Sequence, residues 1–329
     1  MDFHPTLPTP TDYRDRSTGL VLFGIAALIF GGLCLMLVAM MVLGQLFGPM
    51  RQAQGLAAIL PGLLVYGFLA VSLIWLGIGS MLARRWARAL LLIASWAVLY
   101  MGAMGLVTLG MILPGVVQGL QKSQPNIPPV AANAVMIFPL LFVFIFLILV
   151  PLVGLLFYRS PHVKATCEAR DPVERWTDRC PLPVLAVSLW LAFCVPILLV
   201  MPISFRGVLP FFGVLLSGWV GSLGYLALAV LWAWCAVALY RLDVRALWVT
   251  ILTILLFSVS NVVTYTQHDI FEVYRLMGYP ADQIEMMKSM PFINSKSMAV
   301  WSILPMLPIV VYLLFIRHHF RGKSVEGER

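Results

Sequence analysis

Charge is scarce in this chain of 329 residues. Asp, Glu, Lys and Arg make up 11% of it, against a hydrophobic share of 61%. Soluble domains carry about 25% charged residues, so a water-exposed globule is excluded and a membrane protein remains, in keeping with a mean hydropathy of +0.95. Histidine and cysteine are scarce as well, five of each. No phosphate loop, no Gly-x-Ser-x-Gly, no His-Glu-x-x-His and no clustered histidine set occurs, so the commonest hydrolase and nucleotide-binding signatures are missing. The close Cys-x2-Cys knuckle is missing too, which makes His162, Cys167, Glu168 and Cys180 a weak metal signal. On a reducing face these cysteines form no structural disulfide, and Cys34, Cys194 and Cys235 read as packing residues inside the membrane.

What is abundant is long apolar sequence. Eight runs contain no Asp, Glu, Lys or Arg: 17–50, 52–83, 89–121, 123–158, 180–205, 207–240, 246–268 and 297–316. A helix needs roughly 20 apolar residues to cross the hydrocarbon core, so each run spans once and none spans twice. The expected fold is all-α, a polytopic membrane protein of eight transmembrane helices. With no Asp, Glu, Lys or Arg inside the runs, the usual mark of a proton relay or ion-coupled pump is lacking.

The basic residues orient the chain. With both termini cytoplasmic, sixteen of the 22 Lys and Arg fall inside and six outside: Arg51, Lys122, Arg206, Arg275, Lys288 and Lys296. Such a bias follows the positive-inside rule and places the protein in the plasma (inner) membrane, multi-pass. The net charge of +8 is then topogenic and implies no nucleic-acid partner. Residues 1–16 are Pro- and Thr-rich and read as a disordered cytoplasmic tail. The first apolar run is too long for a signal peptide, and Asp2 rules out a myristoylation motif. Residues 318–329 read as a basic cytoplasmic tail.

A hairpin recurs. Gly67–Leu90, shifted by 157 positions, lands on Gly224–Leu247 with nine identities, among them Trp75/Trp232, Arg84/Arg241 and Arg88/Arg245. Asp15-Arg16 matches Asp178-Arg179 at an offset of 163, and Val153 to Arg159 matches Val311 to Arg317 at 158. These windows imply a tandem parallel repeat of four plus four helices: a first unit at 17–159, a cytoplasmic linker at 160–182 and a second unit at 183–317. The slack of six residues belongs in the first external loops.

Candidate functional positions follow. Pro139, Pro151, Pro196, Pro305 and Pro308 interrupt spans, and Pro151 aligns within one residue of Pro308; paired breaks in two repeats point to a central site, although each also reads as a packing kink. Gly213, Ser217 and Gly221, four apart in the sixth run, read as a close helix contact. In the seventh span Ser258, Asn261, Tyr265, His268 and Glu272 step by three and four, which places them on one face of a continuing helix as a candidate cleft lining. His268 and Glu272 lack a third ligand for a metal. After this span, an external helical hairpin is expected near 266–296, turning at Gly278-Tyr279-Pro280. Its methionines read as an adaptable apolar surface rather than a Cu(I) site. The corresponding segment near 112–132, with three prolines, is expected to be less helical.

No catalytic, cofactor or metal residue is assigned. The expected activity is a binding or transport module for a neutral or amphipathic molecule, seated between the repeats. Its first alternative is a non-catalytic accessory subunit whose protein partners meet the external hairpin and the linker. An intramembrane enzyme ranks third. The lipid bilayer is a partner in every case. The topology predicts that cysteines placed at Gln124 and Gln283 react with an impermeant thiol reagent from outside; protection there, with labelling of the termini, contradicts it.

Overall fold

The computed structural model describes residues 14–47, 56–123, 128–288, 290 and 293–320. Most of the tail expected at 1–16, the loop holding Arg51, the Gln124 probe position with Pro125, and the basic tail beyond Phe320 lie outside the described residues. Eight helices among the described residues are long and apolar enough to cross a membrane: Ser17–Phe47, Ile59–Met81, Arg85–Val117, Ile137–Arg159, Leu182–Ser204, Gly218–Tyr240, Val244–Gln267 and Ser295–Phe320. In chain order the helices are α1 (Ser17–Phe47), α2 (Leu56–Met81), α3 (Arg85–Ser123), α4 (Pro129–Val143), α5 (Val150–Arg159), α6 (Pro161–Arg170), α7 (Leu182–Ser204), α8 (Gly218–Tyr240), α9 (Val244–Gln267), α10 (Ile270–Met277), α11 (Ala281–Lys288), α12 (Ser295–Ile303) and α13 (Met306–Ile316). A π-helical turn, Phe144–Leu149, joins α4 to α5 in the fourth span.

Two expectations are corrected. The sixth run does not form one helix, because strands β1 (Leu209–Phe211) and β2 (Val214–Leu216) make an antiparallel hairpin before α8 begins. Gly207, Gly213 and Gly218 all take positive φ, at 66°, 85° and 62°, a region glycine enters without steric cost and a helix cannot use. Gly213, Ser217 and Gly221 therefore do not share a helix face. Gly221 is still needed, against a loop: a Cβ there would sit 1.8 Å from the carbonyl oxygen of Gly207. The second correction concerns 112–132, where α3 continues to Ser123 with Pro114 inside it and α4 starts at Pro129.

α1 and α2 approach each other closely. Cβ atoms at Gly24 and Gly77 would each come within 2.8 Å of the other residue's carbonyl oxygen, the small-residue logic of membrane helices. In the second half α7 packs on α8, where buried Ser188 donates 2.7 Å to the carbonyl of Ala236. α2 meets α7 across the halves through Phe68 and Phe193, ring centroids 4.5 Å apart.

One end of the bundle gathers the linker and both tight turns. Arg85 pairs with Glu168 at 3.5 Å and Asp178 at 3.7 Å, Arg84 reaches buried Asp171 at 3.7 Å, and Tyr240 donates to the carbonyl of Trp176 at 2.9 Å. Exposed ion pairs contribute only about 0–1 kcal/mol each, but Asp171 also accepts from Arg175 at 3.1 Å, so the linker is tied down at several points. Both turns close with a left-handed residue, Ala83 at φ 51° and Leu242 at φ 62°. Each carries the bond that ends such helices, Arg84 N to Gly79 O at 2.9 Å and Asp243 N to Ala238 O at 3.0 Å. These equivalent residues are 159 apart, two out of step with the 157-residue match, so Arg84 follows its closing residue whereas Arg241 precedes its own.

Two spans are broken, and proline chemistry explains both. Pro151 has no N–H for the carbonyl four residues earlier, Leu147; the chain widens into the π turn, where Val150 N bonds Ile145 O instead. In the eighth span Pro305 and Pro308 can supply none to Trp301 and Leu304, and the helix divides into α12 and α13 around Leu304-Pro305. Pro139 and Pro196 sit inside helices that stay continuous.

Both breaks abut α3. A Cβ at Gly102 would lie 2.3 Å from the released Leu147 carbonyl oxygen, so that oxygen presses on the glycine backbone. We expect Gly102→Ala to lower the thermal stability of the detergent-solubilised protein by about 1–3 kcal/mol through overpacking. Gly110→Ala, where nothing lies within 4 Å of a Cβ, should be neutral or slightly stabilising. Equal effects at both positions would contradict this packing.

Candidate functional site

Three layers of polar atoms run through the bundle, starting from the breaks. Tyr100 of α3 donates its hydroxyl to the carbonyl of Pro305. Gly102, two residues on, meets the carbonyl of Leu147. At 100° per residue, two positions lie on nearly opposite faces of a helix, so α3 is sandwiched between the broken fourth span and the broken eighth. Backbone polar groups from both halves thus converge on one turn of one helix.

The second layer is on α9, which packs against α12 and α13 next to the eighth-span break. Ser258 and Asn261 are both buried, at 6% and 8% exposure, while Val259 on the other side is 51% exposed. The Ser258 hydroxyl has no hydrogen-bond partner among the described residues. A buried hydroxyl without a partner is costly, about 1–3 kcal/mol.

The third layer caps the bundle at the end away from the linker. Ser260 Oγ accepts from Phe212 N at 2.9 Å and donates to Pro210 O at 3.2 Å. Thr264 Oγ1 accepts from Gly213 N at 3.0 Å and donates to Ser260 O at 2.8 Å. His268 Nε2 lies 3.0 Å from Gly213 O and its Nδ1 3.1 Å from Glu272 Oε2. Residues 260, 264 and 268 therefore grip the β-hairpin with one contact per helical turn. Beneath them Val208, Ile270 and Val273 form a small apolar core with Tyr265, Tyr274 and Met298 around it. Ser295 stitches the cap by accepting from Ile270 N at 3.0 Å and donating to His268 O at 3.2 Å.

The five-residue stripe is accordingly split. Its continuing helix is corrected: α9 ends at Gln267, His268 is extended at φ −117° and ψ 144°, and Asp269 caps α10 by accepting from Phe271 N at 3.2 Å. Ser258 and Asn261 belong to the buried layer, Tyr265 to the rim of the cap core, and His268 with Glu272 to the surface latch. Ser260 and Thr264, which hold the hairpin, escaped the three-and-four stepping because they lie on the neighbouring face. Their signal was the four-residue spacing to His268 together with the glycines at 207, 213 and 218.

Elsewhere Cys167 and Cys180 are buried in two separate apolar clusters. Burial pushes the Cys167 thiol up to about 11, so it is held protonated and inert. Among the described residues no three His, Cys, Asp or Glu side chains stand close enough to share a metal. The arrangement can donate and accept hydrogen bonds to a neutral polar group, but it offers no acid–base pair inside the spans. Comparison with protein-family models, curated proteins and solved structures finds no match.

The latch titrates. Gly213 O only accepts, so Nε2 must carry a proton, and Nδ1 faces a carboxylate; the imidazolium satisfies both at once. The Glu272 hydrogen bond, then that of Gly213, raises the His268 pKa above its ordinary 6.5. For a raised pKa the stabilisation is complete below about 6.5 and disappears as pH rises through the folded value. Amide exchange at Phe212 and Gly213, corrected for its intrinsic pH dependence, should accelerate over that rise. Glu272→Gln should move the change to lower pH. An unaltered profile in the variant would rule out the latch.

Proposed function

We propose that this chain is a binding or transport module for a neutral or amphipathic molecule. Its two halves form a tandem repeat, both termini and the linker face the cytoplasm, and it resides in the plasma (inner) membrane. The observation that carries the reading is the convergence of the two helix breaks on Tyr100–Gly102, since broken helices at membrane depth are tolerated where they line a site or are sealed by protein. The unpartnered Ser258 hydroxyl, with Asn261 one turn away in α9 and α12 alongside, supplies polar groups for the same ligand. Lacking charge, these groups suit a neutral hydroxyl, amide or carbonyl attached to an apolar body.

The accessory-subunit reading draws on a different observation. Ser260, Thr264 and His268 are engaged in holding the hairpin, and the hairpin and the start of α8 leave Phe211, Phe212 and Trp219 exposed, the last at 75%. That rim suits a protein contact or an aromatic anchor at the headgroup layer.

Accessibility separates the two. In a background without the five native cysteines, a thiol at Asn261 should react with a small water-soluble reagent in reconstituted protein, and one at Val259 should not. Asn261→Leu should then impair ligand handling while sparing expression. Protection of both positions would favour the accessory subunit.

A further inference from the structure

The linker end of the bundle carries a feature that the proposed activity does not use. Between the start of α1 and the end of the fourth span lies a groove of about 390 Å³ lined by Arg16, Phe23, Val153, Leu156, Phe157, Ser160 and Val163. Its floor is made by aromatic packing, with Phe23 and Phe157 stacked at 4.5 Å and 23°. Gly19 makes room for this arrangement, because a Cβ there would come 2.5 Å from Phe157 Cε2. Val153 and Leu156 face outward, 48% and 63% exposed, on the flank of α5. Lengthwise the groove therefore runs from apolar wall to polar rim: its aromatic and aliphatic part lies inside two spans, while Arg16 precedes α1 and Ser160 follows α5.

The rim is positively charged. Arg16 anchors through its backbone, donating to Thr166 Oγ1 at 3.2 Å, and its guanidinium makes no ion pair with a described residue. Its acidic neighbour Asp15 is engaged elsewhere, by Arg170 at 3.6 Å and by the Ser17 amide at 2.9 Å. Exposed Arg14 and Arg159 flank the lining residues in sequence, as does Lys164, which pairs with Glu168 at 3.8 Å. A cation unmatched by any described carboxylate, standing at the membrane boundary above an apolar slot, needs an anion attached to a hydrocarbon chain.

We propose that this groove is a binding site for an anionic phospholipid of the leaflet on the linker side. Its phosphate meets Arg16 and the Ser160 hydroxyl, and one acyl chain lies against Phe23, Val153, Leu156 and Phe157. Basic pockets between membrane helices recognise lipid headgroups in this way. Because the residue before α1, α1 itself and α6 border the groove, through Arg16, Phe23 and Val163, an occupied site holds the chain start, the first span and the linker together.

The test uses the full chain, delipidated in detergent and titrated with phosphatidylglycerol or phosphatidylcholine under native mass spectrometry. The wild type should bind one phosphatidylglycerol in preference to phosphatidylcholine. Arg16→Gln should weaken phosphatidylglycerol about five-fold, the value of one interfacial cation at about 1 kcal/mol, and weaken phosphatidylcholine less, because its phosphate is offset by its own choline cation. Val153→Trp, which fills the slot, should weaken both, and Arg179→Gln, outside the groove, should weaken neither. Equal binding of the two lipids by the wild type, or equal losses in Arg16→Gln and Arg179→Gln, would overturn the site. Gel filtration and circular dichroism check the folding of each variant, and Arg16→Gln, a change at an exposed position, decides the matter alone if Val153→Trp does not fold.

Discussion

A backbone carbonyl that loses its helical donor inside a bilayer has no water to replace it, and this constraint organises the fold. Prolines remove donors from the fourth and eighth spans, and the structure answers locally in two ways. At Pro151 the helix loosens into a π turn and the Leu147 oxygen is pressed against Gly102, where only a glycine lets the backbones approach so closely. At Pro305 the helix divides, and the Pro305 carbonyl at the break accepts a hydrogen bond from the Tyr100 hydroxyl. Both contacts come from α3, which touches the fourth and eighth spans at their breaks.

The same constraint explains the cap. A β-hairpin has edge groups that cannot be left bare near the membrane, and α9 supplies Ser260 and Thr264, with His268 just past its end, to meet them. Hydroxyls on a membrane helix often bond back to their own backbone, as Thr250 does to Ala246 O at 2.7 Å. Those at 260 and 264 do more, because Gly213 at φ 85° turns the hairpin toward them. The latch at His268 adds charge to this contact and makes it the pH-dependent member.

Much of the fold was legible in the amino-acid order. The uncharged runs mark all eight spans, and Pro151 with Pro305 and Pro308 marks the two breaks, since lost donors and hydrocarbon length are properties of single residues and simple counts. What failed was reading shape from hydropathy. The run 207–240 is apolar throughout, yet Gly207, Gly213 and Gly218 fold its first part into a hairpin. The stripe from Ser258 to Glu272 assumed a helix running on, although Asp269, three residues before Glu272, is a helix-starting pattern that ends the continuity. The contacts of α3 with the two breaks were also hidden, because Tyr100 and Pro305, like Gly102 and Leu147, are joined only by tertiary packing. The repeat windows match in sequence, but their turns are two residues out of register, so identity alone did not place Arg84 and Arg241.

The central claim is that the convergence around α3 is a place a polar ligand can reach rather than a sealed seam. Hydrogen exchange of the reconstituted protein, resolved along the fourth and eighth spans, tests this most directly. The account predicts faster exchange of amides at 144–149 and 303–306 than in the helical segments on either side, slowed by Tyr100→Trp, which crowds the junction. Uniform protection along both spans, unchanged by that substitution, would contradict it.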